Sequence, residues 1–225
     1  MHKVQYPVVF LLEAIGDQLW GFKPNFVAAL VMQEGPRRAL FWFAKNMPKY
    51  EHILEAWGPI RTHLVVAVLS TMNGCAYTTA GHVYALQLHY LKNNDRLFPL
   101  TGSEIFELHL LPEEEILQRL EPVLIKAGLS EEVFLLHRMV ELRREKSLAL
   151  SDRDYSLLHL IKLFRMLNVC GISNEVKIDQ AHDPINKNRA VRDRYAALRK
   201  SQAHVQPVAP SPAFGITVLS PEDYL

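Results

Sequence analysis

The run Met72-Asn73-Gly74-Cys75-Ala76-Tyr77-Thr78-Thr79-Ala80-Gly81-His82 places a cysteine seven residues before a histidine. It reads as the start of a helix. Seven residues is nearly two helical turns, so Cys75 and His82 share a face, with Thr78 between them. A thiol at a helix N-terminus meets the positive end of the helix dipole, which favours the reactive thiolate. A nearby imidazole adds a proton acceptor, and the two together are the ingredients of nucleophilic thiol chemistry. Thr78 stands where His82 would best activate a nucleophile, and a threonine hydroxyl needs a strong base before it can act. Its expected role is structural, or that of a hydrogen-bond donor to a bound oxyanion or carboxylate.

Asn73-Gly74-Cys75-Ala76-Tyr77-x-x-x-x-His82 resembles the signature of the alkylhydroperoxidase D-like, carboxymuconolactone decarboxylase superfamily. Redox members of that family carry N-G-C-x-Y-C-x-x-x-H with an acid about three turns upstream. The resemblance runs over roughly residues 7 to 180 and includes Arg61-Thr62-His63-Leu64-Val65-Val66, which matches the family's R-E-L plus apolar run. It implies an all-α, alkylhydroperoxidase D-like helical bundle. Cys75 then matches the family's first cysteine and His82 its histidine. Thr78 occupies the second cysteine's position and His63 the glutamate's. The dithiol pair is therefore absent, and the family's relay from carboxylate through histidine to thiol is changed at both ends. The catalytic candidates are Cys75, His82, His63 and Thr78, with His63 and His82 placed to pair as two imidazoles.

Two further sets bear on chemistry. His63, His82 and His89 could share one region, and with the Cys75 thiolate they have the donor types of a zinc site. There is no H-E-x-x-H and no paired cysteine at zinc spacing, so no metal site is assigned. No glycine-rich phosphate loop is present, and no cofactor is expected. Asn168-Val169-Cys170 followed by Ser173 echoes Asn73-Gly74-Cys75 followed by Thr78. A duplicated helical unit, about residues 20–95 and 129–180, would give such an echo, and so would chance in a leucine-rich chain. Cys170 itself reads as a packed helix residue.

The elements that must hold these residues read as helices throughout. Pro24 opens one towards Met32, Gly35-Pro36 restarts the chain through Phe43, and Pro48 opens another towards Trp57. Gly58-Pro59 starts a run from Ile60 to Met72 that is apolar almost all round, the mark of a buried central helix. Cys75 to Leu91 is the motif helix, and Pro99 to Gly102 a loop. Pro112 with Glu113, Glu114 and Glu115 starts a helix, interrupted near Pro122, that stops at Gly128. Ser130 and Ser151 with Asp154 open two more. Residues 1–185 read as one helical domain. Residues 186–225 read as an exposed C-terminal helix, basic from Arg189 to Lys200, and an extended Pro-rich tail from Val205, either disordered or laid over a partner subunit.

At 225 residues, 49% hydrophobic and a net charge of +1, the chain can bury a large core and has no strong field to steer nucleic acid or an anionic membrane. Apolar runs fall short of about 18 residues, and Pro7 to Leu12 lacks the basic region and cleavage site of a signal peptide. Two cysteines make no disulfide scaffold, so a reducing, cytoplasmic home is expected. Two functions remain open. One is a peroxidase-type, thiol-dependent oxidoreductase using Cys75 as its single reactive cysteine, resolved by an external thiol or by Cys170. The other is a non-redox member that binds a small molecule, either with lyase or isomerase chemistry from His82 and His63 or with no catalysis. Either takes a hydroperoxide or small organic acid as substrate, and the resemblance implies a homo-oligomer.

Overall fold

The computed structural model describes residues 7–205, apart from the side chains of Leu110 and of residues 203–205. The described residues form ten α-helices, two 3₁₀ turns and no strand, so the chain is all-α. The helices are α1 Pro7–Trp20, α2 Phe26–Glu34, α3 Pro36–Trp57, α4 Pro59–Met72, α5 Ala76–Asn94, α6 Gly102–Glu107, α7 Glu113–Ala127, α8 Ser130–Arg143, α9 Asp152–Ser173 and α10 Arg189–Val205. The tail expected after Val205 lies outside the described residues.

Two Gly-Pro pairs set the early corners. Gly35 and Gly58 take φ of 80° and 79°, each ending one helix, and Pro36 and Pro59 open the next. Glycine reaches that backbone region freely, and proline is preset for a first helical turn. Two other prolines depart from expectation. Pro48 lies inside α3 and Pro122 inside α7, and neither helix stops. Neither proline is buried, so water can reach a carbonyl left without its donor. In α3, Asn46 also turns its side-chain amide back to the Trp42 carbonyl at 2.8 Å.

α4 is the central post. Every residue from Thr62 to Thr71 is buried, so the helix is enclosed on all sides. Around it, α5, α7, α8, α9 and the Tyr50–Ile53 turn of α3 form the larger apolar cluster. A second cluster joins α1, α2, the start of α5 and Cys170 of α9. α9 is long and apolar enough, by length and composition, to cross a membrane, contrary to the expectation from run length. Here Leu157, Leu160, Leu163 and Phe164 on one face pack into the larger cluster.

After α9 the chain returns across α5 as a strap. His182 N–H donates to the Gly81 carbonyl at 3.3 Å, and Asn186 donates to the Trp20 carbonyl at 3.0 Å. Ala181, Ile185, Val191 and Tyr195 then pack on Tyr84, Ala85 and Leu88, and Tyr195 bonds Gln87. The expected C-terminal helix is α10, and its inner face is docked through these contacts.

Candidate functional site

The site lies at the seam between the two apolar clusters. A narrow cleft there is lined by Trp20 and Phe26 from one side and by Tyr50, Leu163 and Phe164 from the other. Thr78 and His82, one turn apart on α5, form its polar floor with His182. The cleft is tight, with about 30 Å³ wide enough for water. That is room for one or two water molecules.

Behind the floor runs a chain of hydrogen bonds. His82 Nδ1 meets His63 Nδ1 at 2.9 Å. His63 Nε2 meets Asp183 Oδ2 at 2.8 Å, and His89 Nε2 meets Asp183 Oδ1 at 2.8 Å. The Ile185 N–H adds a third bond to the carboxylate at 2.7 Å. Burial by itself would raise the Asp183 pKa, but the two imidazoles outweigh it and hold the carboxyl well below its ordinary range. Asp183 is therefore an ionised acceptor.

The tautomers follow from that acceptor. His63 must present N–H at Nε2. Burial pushes the His63 pKa down, against the pull of Asp183, so the ring is neutral and its Nδ1 accepts. His82 then donates from Nδ1. Burial first, then His63 and His182, push the His82 pKa well below the ordinary imidazole value. Neutral His82 is left with a bare lone pair at Nε2, which forms no hydrogen bond among the described residues. An oriented imidazole base backed by a second imidazole and a carboxylate is the result.

The opposite wall supplies a donor. The Tyr50 hydroxyl is buried without a hydrogen-bond partner among the described residues, and its ring stands 6.3 Å from that of His82, edge to face. Burial, then Asp183 and Glu51, raise its pKa well above that of an ordinary phenol. Tyr50 therefore keeps its proton. Buried hydroxyls are nearly always satisfied, so an orphan beside a cleft marks a place for a ligand atom.

Of the sequence candidates, His63 and His82 pair as expected. Thr78 lines the cleft. Cys75 is brought near but not to His82. It N-caps α5, with its sulfur 3.4 Å from Thr78 Oγ1, and is 1% exposed. Burial raises its pKa despite bonds from Thr78 and Tyr77, so the low-pKa thiolate expected from the helix start is replaced by a protonated thiol. Cys170 shares its cluster and is pushed up to about 11, by burial first. Gly171 passes directly beneath Cys75, where an added Cβ would stand 2.9 Å from the sulfur.

Asp183, Tyr50 and His182 were missed. Asp183 supplies a carboxylate to His63, at the position where the family's glutamate is absent, from 120 residues along the chain. The signal available was His182-Asp183-Pro184, two chemistry-bearing residues ahead of a proline in a nonhelical segment. His182 Nε2 donates to Asp179 at 2.8 Å, and that carboxylate also accepts from the Tyr77 hydroxyl at 2.9 Å. The motif tyrosine thus anchors the strap. The metal grouping changes as well. His63 and His89 stay together, and Asp183 replaces His82 and Cys75 in a set whose donor atoms all lie within 4.8 Å.

No protein-family model, curated protein or solved structure matches the chain. The function is therefore argued from the site alone.

Proposed function

We propose that this chain is a non-redox, acid–base protein acting on a small carbonyl compound, with His82 removing a proton next to the carbonyl. The observation that carries the reading is that one cleft is lined both by His82, whose Nε2 forms no hydrogen bond among the described residues, and by Tyr50, whose buried hydroxyl has no partner among them. A base and a neutral donor lining one cleft suit enolate formation. His82 Nε2 takes the proton from carbon, the C–H electron pair moves into the carbonyl, and Tyr50 donates to the developing oxygen. The positive charge left on His82 is shared through Nδ1 with His63, whose other nitrogen rests on Asp183. Returning the proton to a different carbon is isomerisation, and loss of a leaving group is lyase chemistry. The apolar walls favour a neutral ester, lactone or ketone over a free carboxylate, which would be buried without a countercharge. Entry of anything larger than a few atoms requires the cleft walls to part.

This reading fits a non-redox relative of the alkylhydroperoxidase D-like family, and that membership is part of the proposal. The experiment is proton exchange in D₂O, with small lactones and ketones followed by NMR. Deuterium should enter next to the carbonyl in the presence of the protein, and His82→Gln should abolish it. Exchange that survives His82→Gln, or none across the panel, removes the reading.

A thiol-dependent peroxidase is the second reading, favoured by one observation. Cys75 touches Thr78, which lines a cleft large enough for hydrogen peroxide. Cys75 would be oxidised to a sulfenic acid while the peroxide is reduced to water, and an external thiol would restore it. A sulfenic-acid-trapping dione separates the two: labelling of Cys75 after peroxide supports the second, and an unlabelled Cys75 the first.

A further inference from the structure

Asp183 has two faces. One supports the cleft, and the other opens with His89 onto a separate groove of about 1090 Å³ that Glu51 also lines. We infer that His63 Nε2, His89 Nε2 and the Asp183 carboxylate form a binding site for one divalent first-row transition ion, open towards this groove.

The geometry has the parts such a site needs. Three ligands come from three elements, α4, α5 and the strap, and their donor atoms are mutually within 4.8 Å. Each imidazole nitrogen lies 2.8 Å from a different oxygen of the same carboxylate. A carboxylate held by both oxygens, with one nitrogen beside each, leaves a common point between them. Two imidazoles and one carboxylate suit zinc, iron or cobalt and disfavour magnesium and calcium, which take oxygen ligands. Outer partners are in place too. His63 turns its other nitrogen to His82, and Asp183 accepts from the Ile185 N–H. Metal-binding histidines are commonly oriented through their second nitrogen in this way. His63 and Asp183 are buried while His89 is partly exposed, so the coordination positions left over lie towards the groove, where water can fill them.

Binding has a consequence for the cleft. A metal on His63 Nε2 displaces the proton there, so His63 carries its proton on Nδ1 and donates to His82. His82 Nδ1 becomes the acceptor and its proton moves to Nε2. His63 and His82 each carry one proton before and after, so neither of these two rings changes charge. The bare nitrogen in the cleft becomes an N–H. Metal binding would thus turn the cleft's base into a donor; this corollary rests on the function proposed above, whereas the site itself does not.

The test uses Co²⁺ as the probe on full-length protein freed of metal by a chelator. One Co²⁺ per chain should give visible d–d bands that Zn²⁺ abolishes by competition. Asp183→Asn and the partly exposed His89→Gln should each lose them, and Cys75→Ser should keep them. Zn²⁺ should also shift the ¹⁵N resonances of His63 and His89 in the unaltered chain, a readout that needs no variant to fold. Bands unchanged in both variants, or Zn²⁺ shifts confined to exposed histidines such as His52 and His137, would overturn the site. Because neither readout uses a substrate, failure of the proton-exchange assay leaves this result standing, and the reverse holds.

Discussion

The chemistry of individual residues turns on what each polar group lacks. Tyr50 has a buried hydroxyl with no partner among the described residues. Removing an unsatisfied buried group relieves its desolvation cost of about 1–3 kcal/mol. Tyr50→Phe should therefore raise thermal stability while lowering proton exchange into a carbonyl substrate. A variant that loses stability would show that the hydroxyl has a structural partner. Cys75 is the opposite case, a group fully enclosed. Its alkylation should be slow in the folded protein, with a pH midpoint above the free-cysteine value of about 8.5. A midpoint below that value would restore the thiolate and the peroxidase reading with it. His82 was legible from its spacing to Cys75 on one helix, and His63 from the glutamate position it takes in the signature that the chain resembles. It could not show Asp183, since only folding brings the strap across α5. Nor could it show that Cys75 would be sealed against Gly171, since helix spacing gives direction but not depth.

At the level of elements, the strap decides whether the relay exists. Gly81 lets the His182 ring lie against α5; a Cβ there would meet the ring at about 2.5 Å. Gly81→Ala should push the strap away and cost about 1–3 kcal/mol, read as a lower urea midpoint, and it should disturb the His63–Asp183 bond. An unchanged midpoint would mean that the strap is not seated on α5 as described. Helix ends were readable wherever local chemistry sets them. Ser151 Oγ caps α9 through Asp154 N–H at 3.2 Å, and Gly128 ends α7 with φ of 79°. Pro48 and Pro122 misled because tertiary packing holds both flanks of each proline in one helix. The local cost remains, so Pro122→Ala should stabilise the chain by about 1–3 kcal/mol, checked by thermal unfolding. A destabilised variant would show that the proline is needed for packing.

Across the whole molecule, buried neutral histidines tie stability to pH. His63 and His82 are buried with pKa values pushed down, and burial also lowers His109 and His159. His82 faces His63, His182 and Asp183, while His63 faces Asp183, His89 and His182. In the unfolded chain each imidazole returns to about 6.5, so the unfolded state binds more protons below that pH. Stability from these groups is present above about pH 6.5 and is lost as pH falls. The depressed Asp183 adds a second loss below about pH 4, near the unfolded carboxylate value. Urea midpoints should therefore fall steadily from pH 7 to 5, and a flat or rising profile would contradict buried neutral rings.

The all-α class was legible from helix signals along the whole chain. The seam between two apolar clusters, where the cleft lies, was not, because it is a property of how α1, α2 and the strap dock. The central claim is that this seam holds His82 as a base with its Nε2 bare. It is tested most directly by long-range ¹H–¹⁵N spectra of the imidazole rings in metal-free protein near pH 7. His82 should show a protonated Nδ1 and an unprotonated Nε2, with His63 protonated at Nε2. A proton on His82 Nε2 under those conditions would contradict the account.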